Sequence, residues 1–398
     1  MKPEVLFLAH RIPYPPDKGD KIRSWRLLKH LTHRFRVHLA CFADDPRDLV
    51  HKDFLESLCE SVTIVPLDPR KARRRSLKGI FTSEPLSFQY FRDRKMRESV
   101  RAVRQKPLAA EIVFSSSMAP YIEQPVVGRK RIVDFCDSDA EKWRSYARTA
   151  KGPMSLVYAR EATLLARQET RIANRADAAF AVTPEEAAIF NARPGLERQV
   201  GWFSNGVDAE YFSARDADAP AMPANDCVFV GAMDYRANAE GVFYFLYHVW
   251  PLVRQSKPDA TFAIVGANPS GALLALSGRD GVSVTGRVDD VRPWLAGAKV
   301  VVAPLRVARG VQNKVLEAMA MGKPVVAAPE AMTGIAAPKH AAAIVDTPEA
   351  MAEAIIELVN NDAKRRTMGE AARGNILENY RWDGALARFD KALDGLGL

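Results

Sequence analysis

A lysine, an arginine and a glutamate stand close together in the stretch 301–326, VVAPLRVARGVQNKVLEAMAMGKPVV, and their setting gives them chemistry. The stretch reads as a buried strand, a basic glycine-containing loop with Arg309, a helix opening at Lys314, and a second buried strand. Asn313 is expected to cap that helix and Gly322 to end it, with Pro324 leading into the next strand. The first turn of a helix presents unpaired N–H groups. With Lys314 and Arg309 beside it, it forms a seat for a phosphate. Glu317 lies one turn on, on the side of Lys314, because residues i and i+3 are neighbours. A carboxylate there accepts hydrogen bonds from sugar hydroxyls next to the phosphate. The pattern suggests a nucleotide-sugar site; the plainer alternative is a Lys–Glu pair on a solvated helix face.

Three other stretches carry groups of similar use. The segment 10–24, HRIPYPPDKGDKIRS, follows a first strand and precedes a helix. There Gly19 lets backbone approach a ligand, and Lys18, Lys21 and Arg23 place positive charge at the helix start. It is not a GxGxxG fingerprint, so simple dinucleotide binding is not indicated. The segment 229–240, FVGAMDYRANAE, repeats the arrangement: Gly231 ends a strand, Asn238 is expected to cap the next helix, and Arg236 is a candidate phosphate contact. The segment 134–139, DFCDSD, gathers three carboxylates at the end of a strand. They suit either a Mg²⁺ ion or the turn and cap of the next helix; no calcium-loop pattern is present. Asp137 and Asp139 are expected to contact the sugar or the acceptor. His10, His340 and the other histidines have no metal-ligand spacing and read as packing or surface groups, so neither metal nor cofactor is expected. No nucleophilic serine motif and no Walker loop appear.

The elements that must position these groups alternate throughout. Apolar runs at 5–9, 37–42, 62–66, 112–115, 131–135, 178–182 and 199–203 read as strands. Segments of helical period such as 21–32 and 154–174 lie between them. After a turn signal at 205–208, NGVD, and an Ala/Asp/Pro-rich stretch at 214–225, a second series begins. Its strands are expected at 228–230, 261–265, 282–285, 300–303, 325–328 and 343–345. Its helices are expected at 239–255, 289–295, 313–321, 348–360 and 363–380. Alternation of this kind implies two α/β domains, each a doubly wound parallel sheet covered by helices on both faces. The expected division is 1–205, 206–380 and a C-terminal helix, 381–398, that packs back on the first domain. Ligands would then bind beyond the carboxyl ends of the strands, in a cleft between the domains.

A chain of 398 residues with 47% hydrophobic content suits two soluble domains. No run approaches the roughly 20 apolar residues that span a bilayer. The first residues read as a strand rather than a signal peptide. Cys41, Cys59, Cys136 and Cys227 fit reduced thiols of a cytoplasmic protein. The formal charge is +9, concentrated in the segments 70–75, RKARRR, and 92–106, RDRKMRESVRAVRQK. Such segments suit either anionic lipid headgroups, hence a peripheral place on a membrane surface, or simply a solvated basic face. Without a recognition motif or interleaved aromatics, nucleic acid is not an expected partner.

The C-terminal half resembles glycosyltransferase family 4, retaining enzymes of the GT-B fold. The likeness rests on Gly231, the segment 264–266, IVG, the segment 284–291, VTGRVDDV, and above all 314–326, KVLEAMAMGKPVV. The segments 10–24, 231–235 and 308–320 extend it over nearly the whole chain. They resemble the sugar transferases associated with the exosortase/PEP-CTERM system, bacterial proteins linked to exopolysaccharide loci. The resemblance implies a nucleotide-diphosphate-sugar donor held by the second domain and a lipid-linked glycan acceptor. It also implies transfer with retention, without a protein nucleophile. In family 4 two glutamates seven residues apart contact the donor. Glu317 matches the second, which binds the ribose, and Arg309 stands at the position of the first. Lys314, Arg236 and Arg309 are the candidates for the diphosphate. A catalytically silent nucleotide-sugar binding subunit and a GT-B nucleotide-sugar epimerase are the alternative readings.

Overall fold

The computed structural model describes residues 2–213 and 224–398, so most of the polar connection expected at 214–225 lies outside the described residues. The chain divides into two compact units, Met1–Phe203 with Leu386–Leu398, and Ser204–Ala385.

The first unit is built on seven strands: β1 (Glu4–Ala9), β2 (Arg36–Ala43), β3 (Ser61–Pro66), β4 (Leu108–Phe114), β5 (Lys130–Cys136), β6 (Ala178–Ala181) and β7 (Gly201–Trp202). They pair in the order β3-β2-β1-β4-β5-β6-β7, every pair parallel. β1 is apolar and fully buried from Val5 to Ala9, as a central strand must be when helices cover both faces of a parallel sheet. β4 begins at Leu108, four residues before the run read from the sequence. Glu111 interrupts the apolar pattern there, yet it is buried between Arg104 at 2.7 Å and Arg129 at 2.9 Å. The helices start where side chains cap them. Ser138 accepts from Glu141 N at 3.2 Å, Thr183 from Glu186 N at 3.1 Å and Asp93 from Met96 N at 3.1 Å. The tail residues of helix Trp382–Gly395 complete this unit. Phe389 is fully buried, 5.6 Å from Phe180 and 5.4 Å from Phe203, and His30 and Arg34 bind Asp390 at 2.7 and 3.1 Å. Burying a phenylalanine in this way contributes roughly 1.5–3 kcal/mol.

The second unit has six parallel strands: β8 (Asn225–Val230), β9 (Phe262–Val265), β10 (Val282–Gly286), β11 (Ala298–Ala303), β12 (Val325–Ala327) and β13 (Ala343–Ile344), in the order β10-β9-β8-β11-β12-β13. The polar start of β8 is tolerated because Asp226 is paired, with Lys299 at 2.8 Å and Thr261 N at 3.1 Å. The helix expected over 239–255 is three pieces: Arg236–Tyr244, a wider π-helical turn Phe245–Val249, and Trp250–Ser256, restarted at Pro251. The helix expected at 289–295 begins at Arg292, because Asp290 accepts from Arg292 N at 2.8 Å and Pro293 follows. The fold class is therefore α/β, with two doubly wound parallel sheets.

Candidate functional site

In the second unit the strand order reverses between β8 and β11. Open parallel sheets bind ligands beyond the carboxyl ends of the strands at such a reversal. β8 ends at Val230 and runs into Gly231. β11 ends at Ala303 and leads through the loop 304–312 into helix Asn313–Ala320. Lys314, in the first turn of that helix, donates from Nζ to Asn238 Oδ1 and lies 4.8 Å from the centre of the Phe229 ring. Asn238 is buried and donates from Nδ2 to Ala232 O at 2.8 Å, so its amide oxygen is fixed towards the ammonium. A neutral amide and an aromatic face thus hold the lysine.

Glycine at 231 is required by this cluster. A Cβ there would stand 2.7 Å from Asn238 Nδ2 and 3.0 Å from Lys314 Nζ. Gly266, at the end of β9, has φ +153, and a Cβ on it would fall 1.9 Å from Gly231 O. The two strand ends therefore meet backbone to backbone, joined by Gly231 N donating to Val265 O at 2.9 Å.

Lys314 and Glu317 are both partly buried. Burial pushes the Lys314 ammonium down to about 7, an effect the nearby Glu317 charge only partly offsets. Burial pushes the Glu317 carboxyl up to about 7, opposed by Lys314. A solvated surface pair would show neither shift. An anion set against Lys314 would restore the charged form.

Other groups sit differently from their sequence reading. Asn313 does not cap its helix: Gln312 holds the cap position, and Asn313, already helical, accepts from Asn205 Nδ2 at 3.0 Å. Asn238 does not cap either, since its helix begins at Arg236 and Asn238 lies inside the first turn. Arg236 is half exposed and pairs with Glu240 at 2.6 Å along its own helix. Arg309 is partly buried in the loop before helix Asn313–Ala320, its carbonyl accepting from Gln312 Nε2 at 3.0 Å.

In the first unit the order reverses between β1 and β4. Gly19 opens helix Gly19–Arg34 and is exposed. Two cations expected to face a ligand are instead internal. Lys21 is buried against Asp17 at 2.9 Å and Asp48 at 3.1 Å. Arg23 is fully buried, forked onto Asp134 at 2.7 and 3.0 Å, and stacked 3.8 Å over the Phe203 ring. Burial works against the Arg23 charge, but Asp134 outweighs it and the pKa is raised. Asp134 is thus a strut between helix and strand. Among the described residues no group of three His, Cys, Asp or Glu side chains is placed to hold a metal ion.

Asp137 and Asp139 follow the end of β5. Asp139 accepts from Ser116 Oγ at 3.2 Å. Asp137 Oδ1 is buried and has no hydrogen-bond partner among the described residues. Burial, then the charges of Glu186 and Asp139, push the Asp137 carboxyl up to about 7. His10, read from the sequence as packing or surface, sits at the end of β1 between Phe91 at 5.7 Å and Phe114 at 5.6 Å. Its Nε2 lies 3.1 Å from Asp20 Oδ2. Burial works against the Asp20 charge, yet Arg11 outweighs it and holds the carboxyl far below its usual range. Nothing in the spacing of His10 and Asp20 announces this pair; only the strand end brings them together.

Residues 224–361 match the family Glycosyl transferases group 1. The match lies within the second unit, Ser204–Ala385. A phosphatidyl-myo-inositol mannosyltransferase of Propionibacterium freudenreichii is 29% identical over 169 residues, 40% of this chain and 40% of that protein's length. Among solved structures, sucrose-phosphate synthase from Thermosynechococcus elongatus superposes with a TM-score of 0.72 at 18% identity, covering 100% of this chain and 99% of that one. HepE from Anabaena, solved with UDP and glucose, superposes with a TM-score of 0.71 at 16% identity, covering 99% of this chain and 100% of that one. At these identities the structural likeness establishes the fold, GT-B, for the chain as a whole.

Proposed function

We propose that the protein is a retaining glycosyltransferase that moves a sugar from a nucleotide-diphosphate-sugar to a lipid-linked glycan in bacterial exopolysaccharide biosynthesis. It would act at the cytoplasmic face of the membrane. The observation that carries this reading is the seat of Lys314. A partly buried ammonium is held by the neutral Asn238 amide at a glycine-lined strand end, and the Glu317 charge offsets its burial only in part. The domain family and the HepE complex with UDP-glucose support a nucleoside diphosphate as that anion. The name of the mannosyltransferase relative supports a lipid acceptor.

In this reading Lys314 neutralises the diphosphate as the bond from the anomeric carbon to its oxygen breaks. The acceptor oxygen bonds to the same face of that carbon, and its proton passes to the departing phosphate oxygen. Preorganised cations of this kind are worth roughly 3–4 kcal/mol of barrier each. Glu317 takes the ribose hydroxyls, Gly231 and Asn313 shape the turn around them, and Arg309 reaches the sugar or phosphate. Arg236 reaches a phosphate only by leaving Glu240. In the first unit Gly19 lines the ligand side of its loop, while the free oxygen of Asp137, with Asp139 beside it, receives the acceptor hydroxyl. Arg309, at the position where the resembled family carries a glutamate, favours one further reading, a subunit that binds donor without turnover.

The test is transfer from a panel of radiolabelled nucleotide sugars to undecaprenyl-linked acceptors by purified protein and by Lys314→Met. Labelled lipid product that disappears in the variant supports the enzyme. Donor binding with neither transfer nor hydrolysis leaves the silent subunit, and absence of binding to every donor refutes both.

A further inference from the structure

Besides the valine pair Val126 and Val127, two surfaces of the first unit expose large apolar side chains, and they differ in charge. One comprises Leu49, Val50, Phe54 and Leu58; cations within it are paired, Arg47 with Asp45 at 2.6 Å and Lys52 with Glu56 at 2.9 Å. The other joins helix Pro69–Leu77 and the turn Lys78–Phe81 to the start of helix Pro153–Asn174. On it Leu77 is 58% exposed, Phe81 93%, Met154 46% and Leu156 75%. The two segments are neighbours: Arg160, one turn beyond Leu156, donates to Gly79 O at 2.9 Å and to Thr82 O, the carbonyls that flank the Phe81 turn. Helix Pro69–Leu77 is fixed from beneath by buried Ala72 and by Arg75, which turns inward to Gln89 O and Tyr90 O.

Around this apolar tip the charge is one-sided. Arg70, Arg73, Arg74, Lys78 and Lys151 are exposed, and none of them has an ion-pair partner among the described residues. Lys71 lies 3.9 Å from Asp68, at the limit of a pair. The second basic segment, 92–106, is different: Arg92, Arg94 and Arg104 are taken by Glu84, Glu98 and Glu111 at 2.6, 2.7 and 2.7 Å, and its exposed Lys95, Arg97, Arg101 and Lys106 have no exposed large apolar side chain within the segment. Unpaired cations around four protruding apolar side chains match one environment, a phosphate-rich headgroup layer with acyl chains beneath it.

We propose that Leu77, Phe81, Met154 and Leu156 insert into an anionic bilayer while the surrounding Arg and Lys side chains lie on lipid phosphates. This deepens the reading of a lipid-linked acceptor, and rests on it for its purpose but not for its evidence. Binding is reversible, because the tip is shallow and its charge is screened over a Debye length of about 8 Å at physiological salt.

The full chain is sedimented with vesicles of equal parts phosphatidylglycerol and phosphatidylcholine, and with vesicles of phosphatidylcholine alone. Binding is expected to the former only. Phe81→Ser and Leu77→Ser each lower the partition coefficient roughly tenfold through lost apolar burial. Arg73→Gln with Arg74→Gln lowers it roughly 30-fold, at about 1 kcal/mol per cation. Val50→Ser, on the charge-paired surface, leaves it unchanged. Thermal melts confirm that each variant is folded; Leu156→Ser replaces any that is not. Failure of the wild type to bind anionic vesicles overturns the proposal. So do serine variants that bind like wild type, which would leave adsorption by charge alone, and an equal loss on Val50→Ser. Transfer in detergent separates the two readings. Transfer without vesicle binding sinks the membrane surface alone, and the expected binding pattern without transfer to any acceptor sinks the glycosyltransferase alone.

Discussion

Replacing Gly231 with alanine tests the proposed donor site with one methyl group. The new Cβ would lie 2.7 Å from Asn238 Nδ2 and 3.0 Å from Lys314 Nζ, inside van der Waals contact for both. These atoms are ends of side chains, so the fold can yield by moving them. Moving Asn238 strains its bond to Ala232 O and its bond to the Lys314 ammonium. A neutral hydrogen bond is worth about 1 kcal/mol and one to a charged group roughly 1.5–3 kcal/mol, so the unfolding free energy falls by at most about 4 kcal/mol. The effect on donor binding is of similar size but has a separate origin. If Lys314 supplies a charge-assisted bond to diphosphate, its displacement costs roughly 1.5–3 kcal/mol, or about 10- to 100-fold in affinity. Isothermal titration of nucleoside diphosphates and their sugar conjugates into wild type and Gly231→Ala measures this, with a melt as the control for folding. A folded variant that binds donor as tightly as wild type would show that the ligand does not approach this strand end, and the site assignment would fail.

Three further outcomes follow from the same geometry. Gly266→Ala puts its methyl 1.9 Å from the carbonyl oxygen of Gly231, a backbone atom with nowhere to go; the second unit should fail to fold, judged by loss of its cooperative melt, and a soluble, donor-binding variant would refute the close approach. Donor affinity should fall with rising pH, because the free Lys314 ammonium titrates at about 7; between pH 7 and pH 9 its protonated fraction drops roughly 50-fold, offset at most twofold by ionisation of Glu317, while Lys314→Met should show no such decline. Arg23→Met leaves the fully buried Asp134 without its partner and should lower stability by about 3–5 kcal/mol, a fall in melting temperature of roughly 6–20 °C, with donor affinity unchanged; Asp134→Leu added to it should recover part of the loss, and a melt like that of wild type would refute the strut.

The sheets were legible because parallel strands covered on both faces are written as unbroken apolar runs. β1, β11 and β12 stand where Val, Leu and Ala cluster, and the thirteen strands among the described residues coincide with runs in the sequence. Legibility failed where a polar residue inside an element has its partner far along the chain. Glu111 hid the start of β4 because its arginines lie outside the strand, at 104 in a turn and at 129 in a loop. The long helix expected over 239–255 broke at Pro251 and a π-helical turn, which hydrophobic period alone does not reveal. Both asparagines read as helix caps were misplaced, Asn313 by one residue and Asn238 by three, and at that scale a cap becomes a member of the first turn with a different task.

The site illustrates a harder limit. Both units show the same sequence signal, cations beside a glycine at the junction of a strand and a helix, and the signal has opposite meanings in them. In the first unit Lys21 meets Asp17 and Asp48, and Arg23 meets Asp134, so these charges are already satisfied by carboxylates inside the unit. A ligand anion would have to displace them at the full cost of a buried ion pair. In the second unit the hydrogen-bond partner of Lys314 is an uncharged amide, and the face of Phe229 lies 4.8 Å away. That arrangement keeps the ammonium in place while its charge is offset only in part, by Glu317, which is why burial can push its pKa down to about 7. The distinction between a strut and a binding group is thus whether the counter-charge lies within the fold, and it depends on Asn238, seventy-six positions away from Lys314. Local spacing finds the lysine; only the packing of β8 against β11 shows that its hydrogen-bond partner is a neutral amide.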